Sequence, residues 1–419
     1  MKKNLSPACV AIFVVFAGMF IIAGCGKKEN EKAGSAGSAA KGTGSSYHIG
    51  IVTGTVSQSE DDLRGAEKLI EMYGSAKTGG MIRHITYPDD FMSQQETTVT
   101  QIAALADDPM MKAIIVNQGI PGTAEAFKRV REKRPDILLF AGEPHEDPLV
   151  IQAAADMAIS NDFVSRGYTI AWAAKELGAK TFVHISFPRH MSYEALGLRR
   201  QIMEAACNDL DLQFVFETAP DPTSDVGVAG AQQFILEKVP QWIEKYGKET
   251  AFFCTNDAHT EPLLKQLLQY GGIFVEADLP SPLMGYPGAL GIDLTEQAGD
   301  FAAILKKVEQ SIVDRGGAGR FGTWAFSYGF SVSAGLGEYA RRIIDGEAEK
   351  GSLAELSKAL GEFTPGAYWK SAYYTDANTG VRAKNQALVF MDTYVLGKGF
   401  LQTTEQAIAG KYMNIKFNK

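Results

Sequence analysis

Three short stretches carry residue types at spacings that could do chemistry. Ala325-Phe326-Ser327-Tyr328-Gly329 comes close to the G-x-S-x-G nucleophile elbow, with Ala in the first place. In that arrangement the general-base histidine follows the serine along the chain. All six histidines, His48, His84, His145, His184, His190 and His259, precede Ser327, so the order is wrong for such a hydrolase. Gly317-Ala318-Gly319-Arg320-Phe321-Gly322 spells G-x-G-x-x-G. That pattern cradles a pyrophosphate only between a strand and a helix. Here a helical pattern precedes it, and Arg341-Arg342 stand where a lone acid belongs, so it reads as a loop. His145-Glu146-Asp147 puts its donors on adjacent residues, which cannot surround one metal ion, and reads as a turn with solvated charges. No H-E-x-x-H, paired-cysteine or Walker pattern occurs. No catalytic residue, cofactor or metal is therefore expected.

A different set of polar residues recurs at the ends of apolar runs. Thr55, Ser57 and Gln58 follow the first run, Asn117 and Gln118 the third, and Glu143 the fourth. Further on come Asn161-Asp162, then Arg189 and His190, then Asn256-Asp257. Amides, hydroxyls and a guanidinium are what a cleft needs to orient a small polar solute. Any one of them could instead cap a helix, as Ser59, Ser93 or Asp162 could. Recurrence at strand after strand favours the cleft.

The elements that must position them follow from periodicity. Short apolar runs (residues 48–52, 82–87, 113–116 and 137–140) alternate with helical stretches, the signature of βα units with parallel strands buried on both faces. The pattern restarts at Met157-Ala158-Ile159, continues with strands near 181–186, 213–217 and 251–254, and sets helices between them. Two successive open halves predict an α/β fold of two doubly wound parallel-sheet lobes, with the strands' carboxyl ends facing a cleft between them. The last third, with helices at 301–313 and 333–344, an aromatic stretch at 368–374 and one strand at 387–394, is expected to cross back and complete both lobes. The expected division is 47–150 plus part of this last third for one lobe and 151–300 plus the remainder for the other.

The 419 residues carry a net charge of −8, and no dense basic block interrupts the folded part. That balance argues against a nucleic-acid partner. At the amino end Lys2 and Lys3 precede an apolar run over 8–24 that ends Ile22-Ala23-Gly24-Cys25. This reads as an export signal over 1–24. The four residues around Cys25 resemble a lipobox, which implies cleavage before Cys25 and a lipid on its sulfur. The chain would then be lipid-anchored to the cell envelope, periplasmic or on the outer face of the membrane. The Gly-, Ser- and Ala-rich stretch over 26–46 has no apolar period and is expected to be a flexible tether. Of the remaining cysteines, Cys207 falls in a helical pattern and Cys254 in a strand, which favours two buried thiols over a bridge.

Together these features resemble the type I periplasmic solute-binding protein superfamily. Asn161-Asp162 with Gly167 and a helix ending Leu177-Gly178 is similar to its acidic turn and first second-lobe helix. Arg189 ahead of Leu198-Arg199-Arg200 resembles its ligand-binding arginine loop, and Phe252-Phe253-Cys254-Thr255-Asn256-Asp257 its strand-Asn-Asp-helix unit. Within that superfamily, Gly54-Thr55-Val56-Ser57-Gln58-Ser59-Glu60-Asp61 resembles the lipoprotein family DUF3798. Sugar binders of the superfamily usually place an Asp after a Gly-aromatic pair, where this chain has Gly285-Tyr286-Pro287. That departure argues against a pentose or hexose and makes Tyr286 a stacking platform for a planar solute. The resemblance implies a membrane-tethered protein that closes two lobes on a small molecule and hands it to an ABC permease, with Arg189 favouring a carboxylate, phosphate or carbonyl. A ligand-sensing adaptor for a signalling receptor is the second reading, and an exported α/β enzyme the third.

Overall fold

A computed structural model describes residues 44–417. The export signal, Cys25 and most of the tether lie outside the described residues. In chain order the strands are β1 (His48–Thr53), β2 (Ile82–Thr86), β3 (Met111–Asn117), β4 (Leu138–Gly142), β5 (Met157–Asn161), β6 (Thr181–Ser186) and β7 (Gln213–Thr218). They continue with β8 (Thr250–Cys254), β9 (Ile273–Phe274), β10 (Gly322–Trp324), β11 (Trp369–Thr375), β12 (Arg382–Met391), β13 (Thr393–Val395) and β14 (Gly399–Phe400).

Seven of them form one sheet in the order β11-β12-β5-β4-β3-β1-β2, and four form a second in the order β7-β6-β8-β9. Every pairing in both is parallel except β11 on β12, which adds an antiparallel edge. Continuous apolar runs serve the central strands because helices cover both faces: Ala113, Ile114, Ile115 and Val116 of β3 are all fully buried. A small antiparallel sheet, β10-β13-β14, extends the second lobe through a bridge between Phe274 and Phe321.

In each large sheet the strand order reverses beside the first strand laid down. β1 sits between β2 and β3, with Ile51 opposite His84 on one side and Ile115 on the other. β6 sits likewise between β7 and β8. Loops leaving the carboxyl ends of such neighbours diverge and open a crevice.

The strand read as the start of the second half, β5, pairs with β4 and β12. It therefore belongs to the first sheet, and the chain leaves that sheet only after Asn161, beyond the boundary expected at 150. Periodicity reveals a βα unit but not which sheet receives its strand. The run over 387–394 read as one strand is two, β12 and β13, broken at Asp392. The Asp392 carboxylate turns the chain by accepting hydrogen bonds from the backbone of Gln402 and Thr403.

Three segments thus join the lobes: 161–163, 324–328 and 391–393. Glu276 ties them together. Its Oε1 accepts from Arg166 Nε at 2.7 Å, while its Oε2 accepts from Trp324 Nε1 at 3.1 Å and from the Thr393 hydroxyl at 3.0 Å. Arg166 completes the joint by donating to the carbonyls of Ala277 and Asp278. The last crossing helix, Tyr328–Ile344, returns to the first lobe and packs on the Val56–Tyr73 helix. Gly65 permits this approach, since a β-carbon there would stand 2.5 Å from the Phe330 carbonyl oxygen. Cys207 and Cys254 are free and buried.

Candidate functional site

The polar residues that follow the first strand are largely helical rather than a loop. Helix begins at Val56 and kinks at Ser59, which leaves the helical region with φ −159° and ψ 87°. Its next turn therefore aims Asp61 and Asp62 toward the carboxyl end of the first sheet. Asp62, Ala66 and Leu69 form the buried stripe of this helix, a carboxylate in line with two apolar residues.

A cavity of about 620 Å³ opens there. The first lobe contributes Gln58, Asp61 and Asp62 after β1, Asn117 and Gln118 at the end of β3, and Glu143 after β4. The second lobe contributes Asp257 after β8 and an apolar wall of Leu279, Leu283, Met284, Ile292, Leu294 and Phe301. Ser327, Tyr328 and Gly329, from a crossing segment, form the back. The crevice is thus flanked by the carboxyl ends of both sheets.

Its floor is a hydrogen-bonded set with vacant acceptors. Asn117 Nδ2 donates to Asp62 Oδ1 at 3.1 Å, to the Gly329 carbonyl at 3.1 Å and to the Ser333 hydroxyl at 2.7 Å. A β-carbon at Gly329 would stand 2.1 Å from Asp62 Oδ1 and push that carboxylate aside. Ser327 caps the Tyr328–Ile344 helix and donates its hydroxyl to Asp61 Oδ2. That bond uses the serine of the elbow-like motif, and among the described residues no histidine is hydrogen-bonded to it. Glu143 Oε2 accepts from the Asn161 amide at 2.9 Å and from the Tyr328 hydroxyl at 2.6 Å. Its backbone sits at φ 38°, a left-handed conformation uncommon for a non-glycine residue. Asp61 Oδ1, Asp62 Oδ2 and Asn117 Oδ1 are buried and accept no hydrogen bond.

Burial without a basic neighbour moves these acids. The Asp62 carboxyl rises to about 7, chiefly through desolvation, with the nearby Ser59 hydroxyl pulling down and the charges of Asp61 and Glu143 pushing up. Asp61 rises to about 6 for the same first reason, against the hydroxyls of Ser327 and Ser281. Glu143 is also raised by burial. Arg64, the one guanidinium on the described lining, is held by Glu60 at 2.9 Å and Glu67 at 2.7 Å.

Residues 47–322 match the family described as protein of unknown function (DUF3798). The chain belongs to that family. Two uncharacterized proteins of Treponema pallidum (strain Nichols) are similar to this DUF3798 protein. One is 48% identical over 210 residues, covering 50% of this chain and 95% of its own; the other is 52% identical over 178 residues, covering 42% and 80%. Among solved structures, a protein described as a transcriptional regulator from Clostridium difficile 630 superposes with a TM-score of 0.74 at 22% identity, covering 83% of this chain and 99% of its own. A sugar ABC transporter protein from Actinomyces odontolyticus gives a TM-score of 0.48 at 11% identity, covering 73% and 86%. The DUF3798 chain shares the α/β fold of the Clostridium difficile protein.

Of the residues singled out from sequence, Gln58, Asn117, Gln118, Glu143 and Asp257 meet in the cavity. The rest do other work. Thr55 donates to the Asp89 carboxylate, as Gln58 does to the Asp89 carbonyl, fastening the loop after β2. Ser57 is exposed on the first helical turn. Asp162 and Asn256 cap helices, accepting from the amides of Ser165 and Ala258. Arg189 grips Asp221 through two bonds of 2.6 and 2.9 Å and lies over the Phe187 ring, outside the cavity lining. Tyr286 is turned inward, 1% exposed, and donates its hydroxyl to the Gly322 carbonyl at 2.7 Å, so it offers no face for stacking. The expected turn at His145 holds two caps: Glu146 accepts from the amides of Gly122 and Ala124, and Asp147 from that of Leu149.

Sequence reasoning missed Asp61 and Asp62. A usable signal was present, because an aspartate at position 62 interrupts an otherwise apolar helical stripe with 66 and 69.

Proposed function

We propose that this protein is a solute-binding lipoprotein. It is tethered through a lipid on Cys25, captures a small molecule between its lobes and delivers it to an ABC permease. The observation that carries the reading is the interlobe cavity, whose buried acceptors find no donor in the protein itself. Leaving such groups bare costs about 1–3 kcal/mol each. A solute that bridges both walls supplies the missing donors and thereby favours the closed arrangement of the lobes. The lining fits a binding role: the Ser327 hydroxyl caps the crossing helix while it donates to Asp61, and among the described residues no histidine is hydrogen-bonded to it as a base.

Native mass spectrometry of the protein purified from its own host tests this. The expected result is a co-purifying small molecule that is released on denaturation, and an N-terminal peptide beginning at an acylated Cys25. Protein that carries no solute, and whose radius of gyration stays unchanged on titration with a dialysable host extract, would overturn solute capture.

A further inference from the structure

We propose that the solute is a protonated primary or secondary amine carried on an apolar body, an assignment that rests on the solute-binding reading above. The charge balance of the wall comes first. Glu60, Asp61, Asp62, Glu143, Asp257 and Asp293 all line the cavity, against the single Arg64, whose guanidinium is saturated by Glu60 and Glu67. The arginine expected to bind an anion, Arg189, is spent on Asp221.

An acidic wall alone names no ligand, but the unpartnered atoms do. Asp62 is 1% exposed, lines the cavity and has Oδ2 without a donor, as Asp61 has Oδ1. The groups acting on Asp62 are the Ser59 hydroxyl and Asp61 on its own helix, Tyr87 after β2, Asn117 on β3, Glu143 after β4 and Tyr328 on the crossing helix. None of these brings it a free positive charge. Arg166, the buried guanidinium whose charge reaches Glu143 and Tyr328, is fixed on Glu276.

A hydroxyl from a neutral solute would satisfy a lone pair and leave the buried charge standing. An N–H⁺ donor answers both at once, with bonds about twice as strong as neutral ones. A quaternary ammonium cancels charge but has no hydrogen to give. A metal ion fits poorly, since among the described residues no group of three acidic, histidine or cysteine ligands converges. The opposite wall, with Leu279, Met284 and Phe301, would bury a hydrocarbon chain or ring attached to the amine.

Matched probes isolate the ammonium. Titration calorimetry and thermal shift compare tyramine with tyrosol and cadaverine with 1,5-pentanediol, beside D-ribose, D-glucose and citrate. The amines should bind at least about tenfold more tightly than their hydroxyl twins. Asp62→Asn, close to isosteric, should erase that advantage, as should Asp61→Asn, with near-UV circular dichroism confirming that each variant is folded. Equal binding of tyrosol and tyramine, or a response confined to the sugars or citrate, overturns the amine assignment and leaves solute capture standing. Silence toward every probe in a folded protein that also carries no native solute overturns both.

Discussion

Two groups of buried carboxylates, in the joint and in the cleft, meet the same desolvation in opposite ways. Glu276 in the joint is 2% exposed and Asp62 in the cleft 1%. Glu276 is matched by Arg166 and by donors from two further crossing segments, while Asp278 beside it receives Arg199. Asp62 has one amide donor, the nearby Ser59 hydroxyl, two acidic neighbours and no cation. A carboxylate whose partner is built in fixes geometry. One whose partner is withheld costs stability until something arrives from outside. The contrast separates scaffold from receptor more sharply than burial or polarity does.

The comparison breaks most readily at the joint. Glu276→Ala leaves the Arg166 guanidinium buried and uncompensated and releases Trp324 and Thr393 together. Removing one partner of a buried pair costs about 3–5 kcal/mol. Urea denaturation should show a loss of that size. A loss below about 1 kcal/mol would mean that Glu276 does not hold the crossing segments.

The cleft should respond in the other direction. An Asp that titrates near 3.8 when unfolded and near 7 when folded keeps its proton longer in the folded state. Its contribution to stability is therefore complete below about pH 4 and is lost as pH rises through 7. Asp62→Asn removes that slope. We expect it to stabilise the solute-free protein by about 4 kcal/mol at pH 8 and to change it little at pH 4, read from paired denaturation curves. Amine binding should strengthen as pH rises from 5.5 to 8, because the bound cation holds Asp61 and Asp62 ionised. A variant less stable than the parent at pH 8 would place Asp62 with the structural carboxylates.

The same contrast explains how much the sequence discloses. Apolar period and turn residues revealed βα units, two sheets and a crevice at the strand ends, because burial on both faces of a parallel sheet leaves continuous apolar runs. Which sheet receives β5, and the break at Asp392 between β12 and β13, depend on long-range pairing that no local period encodes. Strand-end reasoning found Asn117 and Glu143, since the loops leaving the carboxyl ends of parallel strands beside the switch point border the crevice. It overreached at Asp162 and Asn256, where the same polar residue satisfies a helix amide instead. It passed over Asp62 because the search covered loops and the residue lies one helical turn beyond, on the buried stripe. Arg189 had the right loop and charge, but Asp221, distant in sequence, takes up its guanidinium.

Arg189 supplies the smallest effect and the closest check on that last point. Its pair with Asp221 is partly exposed, with side-chain accessibilities of 38% and 18%, so solvent screens much of what the bidentate contact gains. Arg189→Ala should shift stability by no more than about 1 kcal/mol and leave tyramine affinity within about twofold of the parent. Calorimetry at low and moderate salt measures both the size and the screening. An affinity loss approaching that of Asp62→Asn would mean that the lobes close far enough to bring the 188–192 segment onto the solute. The guanidinium would then have to leave Asp221 for it, and the receptor would extend beyond the acidic wall of the first lobe.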